Sequence, residues 1–421
     1  MYFSIKDLKL QLIYNFGIYV TQLVLKGISI FNHKIKLGIT GRTHTFKILE
    51  NKISQTDKTL WFHCASLGEY EQGLPVFREL RKDYPKHKIV LSFFSPSGYE
   101  IRKNSNIADV VIYLPFDTKS NAKRFLDLVH PELTIFVKYD IWPNLLNELN
   151  YRGLKAILIS ALFRENQIYF KFYGGFMKKA LFAFQHIFTQ DETSKKLLQR
   201  IGYIDVSVSG DTRFDRVYNQ LEQHNSLDFI AHFKGDNLCV VAGSTWPEDD
   251  VFLIDYINSL ENSAKVKFII APHNIKKTQI LKLKQAFNKK TVLYSEKNNH
   301  TIATYQVLIL DTIGLLSKVY SYANIAYVGG AAGKTGLHNT LEPAVFGIPI
   351  IIGEHYNHFP EAIEMLKNQG MFSVKNTKEL HQILDNLIKN STLRKTSGEK
   401  NLSYIKNNRG AVIQIMSFLR T

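Results

Sequence analysis

The sequence contains little cysteine, little proline and only short apolar runs. Among its 421 residues there are 2 cysteines and 11 prolines. Cys64 and Cys239 lie inside apolar segments, so their number excludes a disulfide scaffold and a cysteine-based zinc site and favours a reducing compartment. The uncharged run at residues 10–25 would form a helix of about 24 Å, shorter than the roughly 30 Å hydrocarbon core of a bilayer. These absences exclude a multi-span membrane protein.

The composition indicates a globular protein of two domains with surplus positive charge. Hydrophobic residues make up 45% and charged residues 21% of the chain, which is the range of folded proteins. A single core usually stops growing at roughly 250–300 residues, so 421 residues predict two domains. The 53 basic and 37 acidic residues give a net charge of +16. This surplus suits a polyanionic partner: nucleic acid, an anionic membrane surface or a phosphorylated substrate.

The N-terminal segment, residues 1–58, is both basic and apolar. A helix over its uncharged run would carry one polar stripe, made of Gln11, Asn15, Gln22, Lys26 and Ser29. We expect this helix to lie in a membrane interface with lysines near lipid phosphates, namely Lys6, Lys9, Lys26, Lys34 and Lys36. The alternative is a helix that packs on the protein's own surface. A signal peptide is a poor match, because no small-residue cleavage site follows.

The remaining chain alternates β-branched runs with helical segments, which predicts an α/β fold. Residues 59–220 form a first β-α-β domain, residues 221–237 a polar linker, and residues 238–421 a second doubly wound domain. The last helix is a candidate to pack back on the first domain. Two such domains would face each other across a ligand cleft at the carboxyl ends of their strands. Strands are predicted at 60–66, 88–94, 109–115, 133–139, 155–160, 186–190, 206–210, 238–244, 267–273, 291–295, 306–311, 325–330 and 348–353.

Polar residues at two strand ends of the first domain are candidates for chemistry. Glu69 stands where a strand turns into a helix, and a carboxylate there is kept ionised and could accept a proton from an alcohol. A helix-capping role is the equally weighted alternative. Lys138 and Asp140 precede Trp142 and Pro143, which suit a first helical turn, so both charged residues are expected at a loop mouth.

A glycine-rich segment at residues 328–347 is the most informative part of the second domain. Its glycines would let the backbone approach a ligand, and a helix opening near Asn339 would direct free N–H groups at an anion. Lys334 and His338 add positive charge or donors, and Glu342 could accept bonds from two ribose hydroxyls. The spacing is neither a Walker loop nor G-x-G-x-x-G, which argues against an NTPase and a dehydrogenase. The glycines concerned are Gly329, Gly330, Gly333 and Gly336.

These motifs resemble those of the Kdo transferases, which move 3-deoxy-D-manno-octulosonic acid (Kdo) from its CMP conjugate to a lipid A precursor. HCASLGEYEQGLP is similar to the family's H-x-x-S-x-G-E block, DIWPN to E-L-W-P-N, and SGDTRFD to G-N-x-K-F-D. The segment 336–362 is similar to the long block that ends in N-F-x-E. The resemblance implies the GT-B fold of two Rossmann-like domains, with the acceptor on the first and CMP-Kdo on the second. It also implies a phosphorylated lipid A precursor as acceptor, in lipopolysaccharide synthesis at the cytoplasmic face of the inner membrane.

The resemblance also assigns roles to individual residues, with Glu69 at the position of the general base. For acceptor binding it offers Gly68, Lys138, Asp140 and Arg213. For donor binding it offers Ser244, His273, Gly329, Gly330, Gly336, His338, Asn339, Glu342, Asn357 and Glu361. KYDIWPN departs from the usual E-T-E-L-W-P-N, and Pro272-His273-Asn274 departs from P-R-H, so the cation for the donor phosphate is expected from Arg213 or Lys334. No Asp-x-Asp stands at a strand end, which predicts an inverting transfer without metal or cofactor.

Three alternatives remain open from the sequence. A GT-B nucleotide-sugar epimerase would share the fold and the nucleotide loop, although a soluble epimerase has no use for an apolar, basic N-terminus. Another membrane-associated glycosyltransferase is a second possibility. A nucleic-acid-binding protein is disfavoured, because no basic-aromatic recognition module is present. The aromatic segment 169–184 is either a part of the lipid-facing surface or a core helix.

Overall fold

The computed structural model describes residues 5–261 and 263–421, so the first four residues of the predicted N-terminal segment lie outside the described residues. The chain forms two compact units. Unit 1 extends to Arg216 and also includes Arg409–Thr421, and unit 2 is Val217–Asn408.

Unit 1 is built on a parallel sheet of seven strands in the order β3-β2-β1-β4-β5-β6-β7. The sheet is doubly wound, because the strand order reverses between β1 and β4. Apolar side chains fill the central strands on both faces, as the continuous apolar runs predict. The strands are β1 (Thr59–Cys64), β2 (Lys88–Phe93), β3 (Val110–Tyr113), β4 (Pro131–Val137), β5 (Ala156–Ala161), β6 (His186–Thr189) and β7 (Val206–Val208).

Ten α-helices lie between Ile5 and Tyr218 in the part of the chain that the structure describes. Three of them, α1 (Ile5–Ile28), α2 (His33–Thr43) and α3 (Thr45–Lys52), come before the first strand. The others are α4 (Leu67–Asp83), α5 (Pro96–Arg102), α6 (Lys119–Val129), α7 (Pro143–Tyr151), α8 (Gly175–Leu181), α9 (Glu192–Arg200) and α10 (Thr212–Tyr218).

Unit 2 repeats this construction with a second parallel seven-stranded sheet in the order β10-β11-β9-β8-β12-β13-β14. Its strands are β8 (Leu238–Thr245), β9 (Val266–Pro272), β10 (Thr291–Leu293), β11 (Val307–Ile309), β12 (Ile325–Val328), β13 (Ile350–Gly353) and β14 (Met371–Val374). Its helices are α11 (Asp228–Lys234), α12 (Pro247–Ser259), α13 (Lys277–Ala286), α14 (Leu316–Val319), α15 (Leu341–Ala344), α16 (Pro360–Lys367), α17 (Thr377–Lys389) and α18 (Ser391–Asn408). The two sheets confirm the predicted α/β fold class.

Two segments differ from the sequence-based expectation. The strand β14 was not predicted. Residues 221–237, expected to be a linker, contain α11, whose Ile230 and Phe233 are fully buried within unit 2. The Leu227 N–H donates to the Tyr322 hydroxyl at 2.6 Å, which fixes the start of this helix. The polar composition of the segment reflects only the outer side of a short helix.

The C-terminal helix α19 (Ala411–Leu419) belongs to unit 1. Ile415 and Met416 are buried in the same core as strands β1 and β2. The Asp215 carboxylate accepts a hydrogen bond from the Gly410 N–H at 2.8 Å, and the Arg420 guanidinium binds Asp83 at 2.8 Å. Helix α19 therefore packs on the same unit that contains α1.

Helix α1 packs on unit 1 through its polar side. The Tyr14 hydroxyl donates to Asp117 at 2.8 Å, and the Asn144 side-chain amide donates to Asn15 at 2.8 Å. Gln11 is buried, whereas Phe16 is 71% exposed. Gln11 and Asn15 of the predicted polar stripe therefore face the protein. No helix among the described residues is at once long enough and apolar enough to cross a bilayer.

Candidate active site

The carboxylate of Glu69 lies in the first turn of α4, just after the carboxyl end of β1. The Ser66 hydroxyl donates a hydrogen bond to the Glu69 carboxylate and makes no capping bond to the backbone of the helix. Glu69 is half-buried, and the neighbouring Gly68 is exposed. A side chain at Gly68 would meet only the Ser66 hydroxyl, at 3.7 Å from its Cβ. The strand end therefore combines an oriented carboxylate with open space beside it.

A chain of hydrogen bonds leads from the core of unit 1 to Asp140. The Trp61 indole N–H donates to the Ser92 hydroxyl at 2.8 Å, and this hydroxyl lies 2.8 Å from His63 Nδ1. His63 is fully buried, and its Nε2 lies 2.5 Å from Asp140 Oδ2. The Trp142 indole N–H donates to the same oxygen at 2.9 Å. This pattern assigns the ring proton to Nε2 and directs the Asp140 carboxylate from two sides.

The other predicted acceptor residues differ in their surroundings. Lys138 follows β4 with a φ of 73°, a strained backbone conformation for a residue with a side chain, and it is half-buried. Its ammonium lies 5.3 Å from the centre of the Tyr139 ring. The Arg213 guanidinium donates to Asp211 at 2.7 Å. Arg213 is therefore already engaged by a carboxylate of unit 1.

In unit 2 the glycine-rich loop follows β12 and packs on the end of β8. A Cβ at Gly329 would lie 2.4 Å from the Ser244 carbonyl oxygen, and one at Gly330 would lie 2.1 Å from the Gly336 carbonyl oxygen. Ser244 and Gly330 both have positive φ, 56° and 98°. Close approach of the chain to itself therefore requires glycine at Gly329 and Gly330. A Cβ at Gly336 would meet only the Phe359 ring, at 3.8 Å.

A buried carboxylate, Asp249, holds this loop in place. It accepts hydrogen bonds from the Gly330 N–H at 2.8 Å, the Trp246 N–H at 2.9 Å and the Tyr327 hydroxyl at 2.8 Å. Burial raises the pKa of Asp249, and the hydrogen bonds from Gly330, Trp246 and Tyr327 oppose that shift. The first turn of α12 is thereby tied to the loop that follows β12.

Three aromatic rings lie in a row at the carboxyl edge of this sheet. Trp246 and His273 stack with ring centroids 4.6 Å apart, and His273 and His338 lie 4.6 Å apart. The Trp246 indole N–H donates to His338 Nε2 at 3.0 Å. Burial, together with the nearby His273, lowers the pKa of His338 to about 4. His338 is therefore neutral at pH 7 and carries its proton on Nδ1, where it can donate to an anion.

The helix after this loop is shorter than the sequence predicts. Helix α15 has four residues, and the Asn339 side chain accepts a hydrogen bond from the Leu341 N–H at 3.1 Å. Glu342 accepts hydrogen bonds from the Asn339 amide at 3.0 Å and the Ser317 hydroxyl at 3.0 Å. One turn of helix supplies little macrodipole, so the predicted anion site would need side chains and loop N–H groups.

Of the remaining predicted donor residues, Ser244 lies near the end of β8, His273 follows β9, and Asn357 and Glu361 follow β13. His273 is exposed, and its N–H donates to the Thr245 carbonyl at 2.9 Å. Asn357 is exposed, whereas Glu361 is 9% exposed in the first turn of α16. All ten predicted donor residues belong to unit 2, and eight of them lie after β12 or β13. Across residues 5–261 and 263–421, no group of three or more His, Cys, Asp or Glu side chains is placed to hold a metal ion.

Three residues of these sites were not predicted: His63, Trp246 and Asp249. The H-x-x-S-x-G-E block contained the signal for His63, a polar ring inside an apolar strand. Trp246 directly follows β8 and precedes a proline, which is a suitable place for a stacking ring at a strand end. Asp249 carried no signal, because acidic residues are common in the first turn of a surface helix.

The sequence is similar to those of known 3-deoxy-D-manno-octulosonic acid transferases. Residues 40–216 match the family model for 3-deoxy-D-manno-octulosonic-acid transferase (kdotransferase). The 3-deoxy-D-manno-octulosonic acid transferase of Haemophilus influenzae is 28% identical over 373 residues, covering 86% of this chain and 86% of that protein. The protein of the same name from Aquifex aeolicus is 28% identical over 334 residues, covering 78% of this chain and 86% of that protein.

Among solved structures, UDP-GlcNAc 2-epimerase from Neisseria meningitidis bound to UDP-GlcNAc matches with a TM-score of 0.59. It is 14% identical in sequence, and the match covers 86% of this chain and 100% of that chain. At this identity the likeness shows the GT-B fold alone.

The hydrogen bond between Trp246 and His338 gives a prediction that nitrogen NMR can check. In the unaltered protein we expect His338 to be the Nδ1–H tautomer with a pKa near 4. Trp246→Phe keeps a stacking ring but removes the N–H, so protonation of Nε2 no longer breaks a bond; the pKa should rise but stay below the ordinary 6.5, because burial remains its main cause. The ring-nitrogen signals of His381 should be the same in both proteins and serve as an internal control. An Nε2–H tautomer in the unaltered protein contradicts the assignment.

Proposed function

The chain belongs to the family of 3-deoxy-D-manno-octulosonic acid (Kdo) transferases, and we propose that it moves Kdo from CMP-Kdo to a hydroxyl of a phosphorylated lipid A precursor in lipopolysaccharide synthesis. The observation that carries this proposal is the carboxylate of Glu69 at the carboxyl end of β1, held by Ser66 beside open space. A glycosyl transfer needs such a base, because an alcohol is a poor nucleophile until its proton is removed.

The chemistry of the transfer follows from the leaving group. CMP departs with the electron pair of the glycosidic bond, while the acceptor oxygen bonds to the anomeric carbon and gives its proton to Glu69. One displacement inverts the anomeric centre and needs no covalent intermediate. The protein then has to orient the hydroxyl and stabilise the charge of the departing phosphate.

For the donor we propose that the loops after β8, β12 and β13 bind the nucleotide. The neutral His338 would donate from Nδ1 to the phosphate or the sugar carboxylate, and Glu342 would accept from the ribose hydroxyls. Lys334 is exposed in the glycine-rich loop, whereas Arg213 is bound to Asp211. This difference favours Lys334 as the cation for the phosphate. Transfer without a metal ion stays a prediction.

For the acceptor we propose binding at the carboxyl edge of the unit 1 sheet and docking on the anionic cytoplasmic face of the inner membrane. The exposed apolar side of α1 and the lysines near it support docking. Segment 169–184 adds to this surface only in part, because Phe172 is 90% exposed while Tyr169, Phe176 and Phe184 are buried. The epimerase alternative is not favoured, because the relatives found by sequence are transferases and the epimerase likeness concerns the fold alone.

Removal of the base tests the proposed reaction. The protein is incubated with CMP-Kdo and a tetraacylated lipid A precursor, and the product is weighed by mass spectrometry. Glu69→Gln keeps the size of the side chain but not its basicity, so turnover should fall by roughly 10²- to 10⁴-fold. Glu79→Gln, on the same helix and in a surface ion pair, should keep near-normal turnover. Near-normal turnover of the Glu69 variant rules out the assigned base.

The nucleotide site is tested by calorimetry with CMP. Glu342→Ala removes the proposed acceptor of the ribose hydroxyl bonds and should weaken CMP binding by about 1 to 3 kcal/mol. Glu354→Ala, an exposed carboxylate after β13, should leave the affinity unchanged. Equal CMP affinity in the two folded variants counts against the assignment of Glu342.

Membrane docking is tested by flotation with liposomes that contain anionic lipid. Ile13 and Phe16 are 66% and 71% exposed on the outer side of α1, so replacing both with Glu should abolish flotation. Ile204→Glu, at a position 78% exposed before β7, is the control and should float like the unaltered protein. High salt should weaken binding only in part, since each lysine contributes about 1 kcal/mol and apolar burial adds more. Equal flotation of the two variants would show that the exposed side of α1 is not the docking surface.

A further inference from the structure

A groove lies beside α1, where the exposed side of this helix meets α2, α3 and the loop after β3. Its apolar walls come from α1, from α2 and α3, and from the loop after β3, through Tyr19, Leu23, Ile39, Phe46, Pro115 and Phe116. Leu23 is 70% exposed, so the groove continues directly into the outer apolar side of the helix. A soluble protein rarely leaves an apolar surface of this kind uncovered unless it binds something.

The groove also carries positive charge that the protein does not neutralise. Arg42 and Lys26 line it together with Gln22, whose buried side-chain nitrogen has no hydrogen-bond partner. The Arg42 guanidinium donates to the backbone carbonyls of Leu114, Gly38 and Phe94 and lies over the Phe94 ring, 4.3 Å from its centre; no carboxylate among the described residues pairs with it. Burial lowers the pKa of Arg42 only to about 10, so it stays charged at neutral pH. An unpaired, partly buried cation is costly, and an anion at the groove would offset that cost.

The position of the groove relates it to the candidate base. Pro115 and Phe116 follow β3, at the same carboxyl edge of the sheet as Glu69 after β1. Strands β3 and β1 are separated by β2, so the two loops are roughly 10 Å apart across the sheet. One amphiphilic molecule could therefore reach both places.

We infer that this groove binds one acyl chain of the phosphorylated acceptor lipid, with Lys26 and Arg42 supplying positive charge to its phosphate. The apolar walls, the uncompensated cations and the location beside the acceptor edge together specify an anionic lipid. The identity of the lipid rests on the proposed function, whereas the chemistry of the groove does not.

The test uses octyl, decyl and dodecyl phosphate as probes, each below its critical micelle concentration, titrated into the full chain by calorimetry. Each methylene that enters the groove should tighten binding roughly fourfold. Dodecyl maltoside, which has the same chain without charge, should bind more weakly than dodecyl phosphate. An affinity that ignores chain length or charge overturns the inference.

Two variants on one stripe of α1 separate the groove from the open surface of the helix. Leu12 and Leu23 are eleven residues apart, so they point in nearly the same direction, and they are 61% and 70% exposed. Only Leu23 lines the groove. Leu23→Asp should abolish the dependence of affinity on chain length, while Leu12→Asp should preserve it. Equal behaviour of the two variants overturns the inference.

Two further readouts make the result specific. Lys26→Gln should weaken the binding of every alkyl phosphate by a similar factor and keep the chain-length dependence. Sedimentation should show no self-association that alkyl phosphate reverses, since that would make a second copy of the chain the occupant. Because these measurements need no CMP-Kdo, loss of probe binding with normal transfer overturns the groove alone, and normal probe binding without transfer overturns the proposed function alone.

Discussion

A buried carboxylate at the carboxyl edge of each sheet holds the loops from which the candidate sites are built. Asp117 in unit 1 accepts hydrogen bonds from the Tyr14 hydroxyl and from two backbone N–H groups at the start of α7. Asp249 in unit 2 likewise accepts from one tyrosine hydroxyl and two backbone N–H groups. Burying a carboxylate is costly unless such bonds satisfy it, so each group fixes three partners at once. Burial raises the pKa of Asp117 to about 6, and the folded state therefore loses stability from this group as the pH rises from about 4 to 6.

The parallel sheets explain why the chemistry gathers at these edges. Strands buried on both faces leave no room for charged groups along their length, so polar side chains accumulate where the strands end. His63 lies fully buried inside β1, and its contact with Asp140, 77 positions further along the chain, joins β1 to the loop after the neighbouring strand β4. The His63 ring, held by Ser92 in the core, orients the Asp140 carboxylate at the edge of the sheet. In unit 2 the Trp246 indole orients the His338 ring in a similar way, through a hydrogen bond to Nε2.

The sequence predicts most strands, because continuous β-branched runs have few other uses in a soluble chain. It missed Met371–Val374, a short edge strand in which Phe372 and Ser373 are only half-buried, so no apolar run stands out. The ligand contacts of Gly329 and Gly330 stay a prediction, whereas the structure shows that a Cβ at Gly329 would meet the end of β8 and one at Gly330 would meet the Gly336 carbonyl oxygen. Close packing against backbone and close approach to a ligand select the same residue, so local sequence does not separate them. Contacts such as that of His63 with Asp140 depend on strand order, which no local pattern records.

Helix α1 inverts the usual polarity of a surface helix, and Asp117 links this orientation to the loop before α7. A surface helix normally buries its apolar stripe, whereas the polar side of this one contacts the protein and its apolar side is exposed. Each large apolar side chain left in water forgoes roughly 1.5–3 kcal/mol of burial, so an apolar environment on the outer side recovers a large free energy. The oxygen of Asp117 that binds Tyr14 also accepts the Asn144 N–H, at the start of the helix that follows Asp140. One carboxylate therefore ties the orientation of α1 to the loop after β4, so a surface that covers α1 meets this edge of the sheet in a fixed orientation.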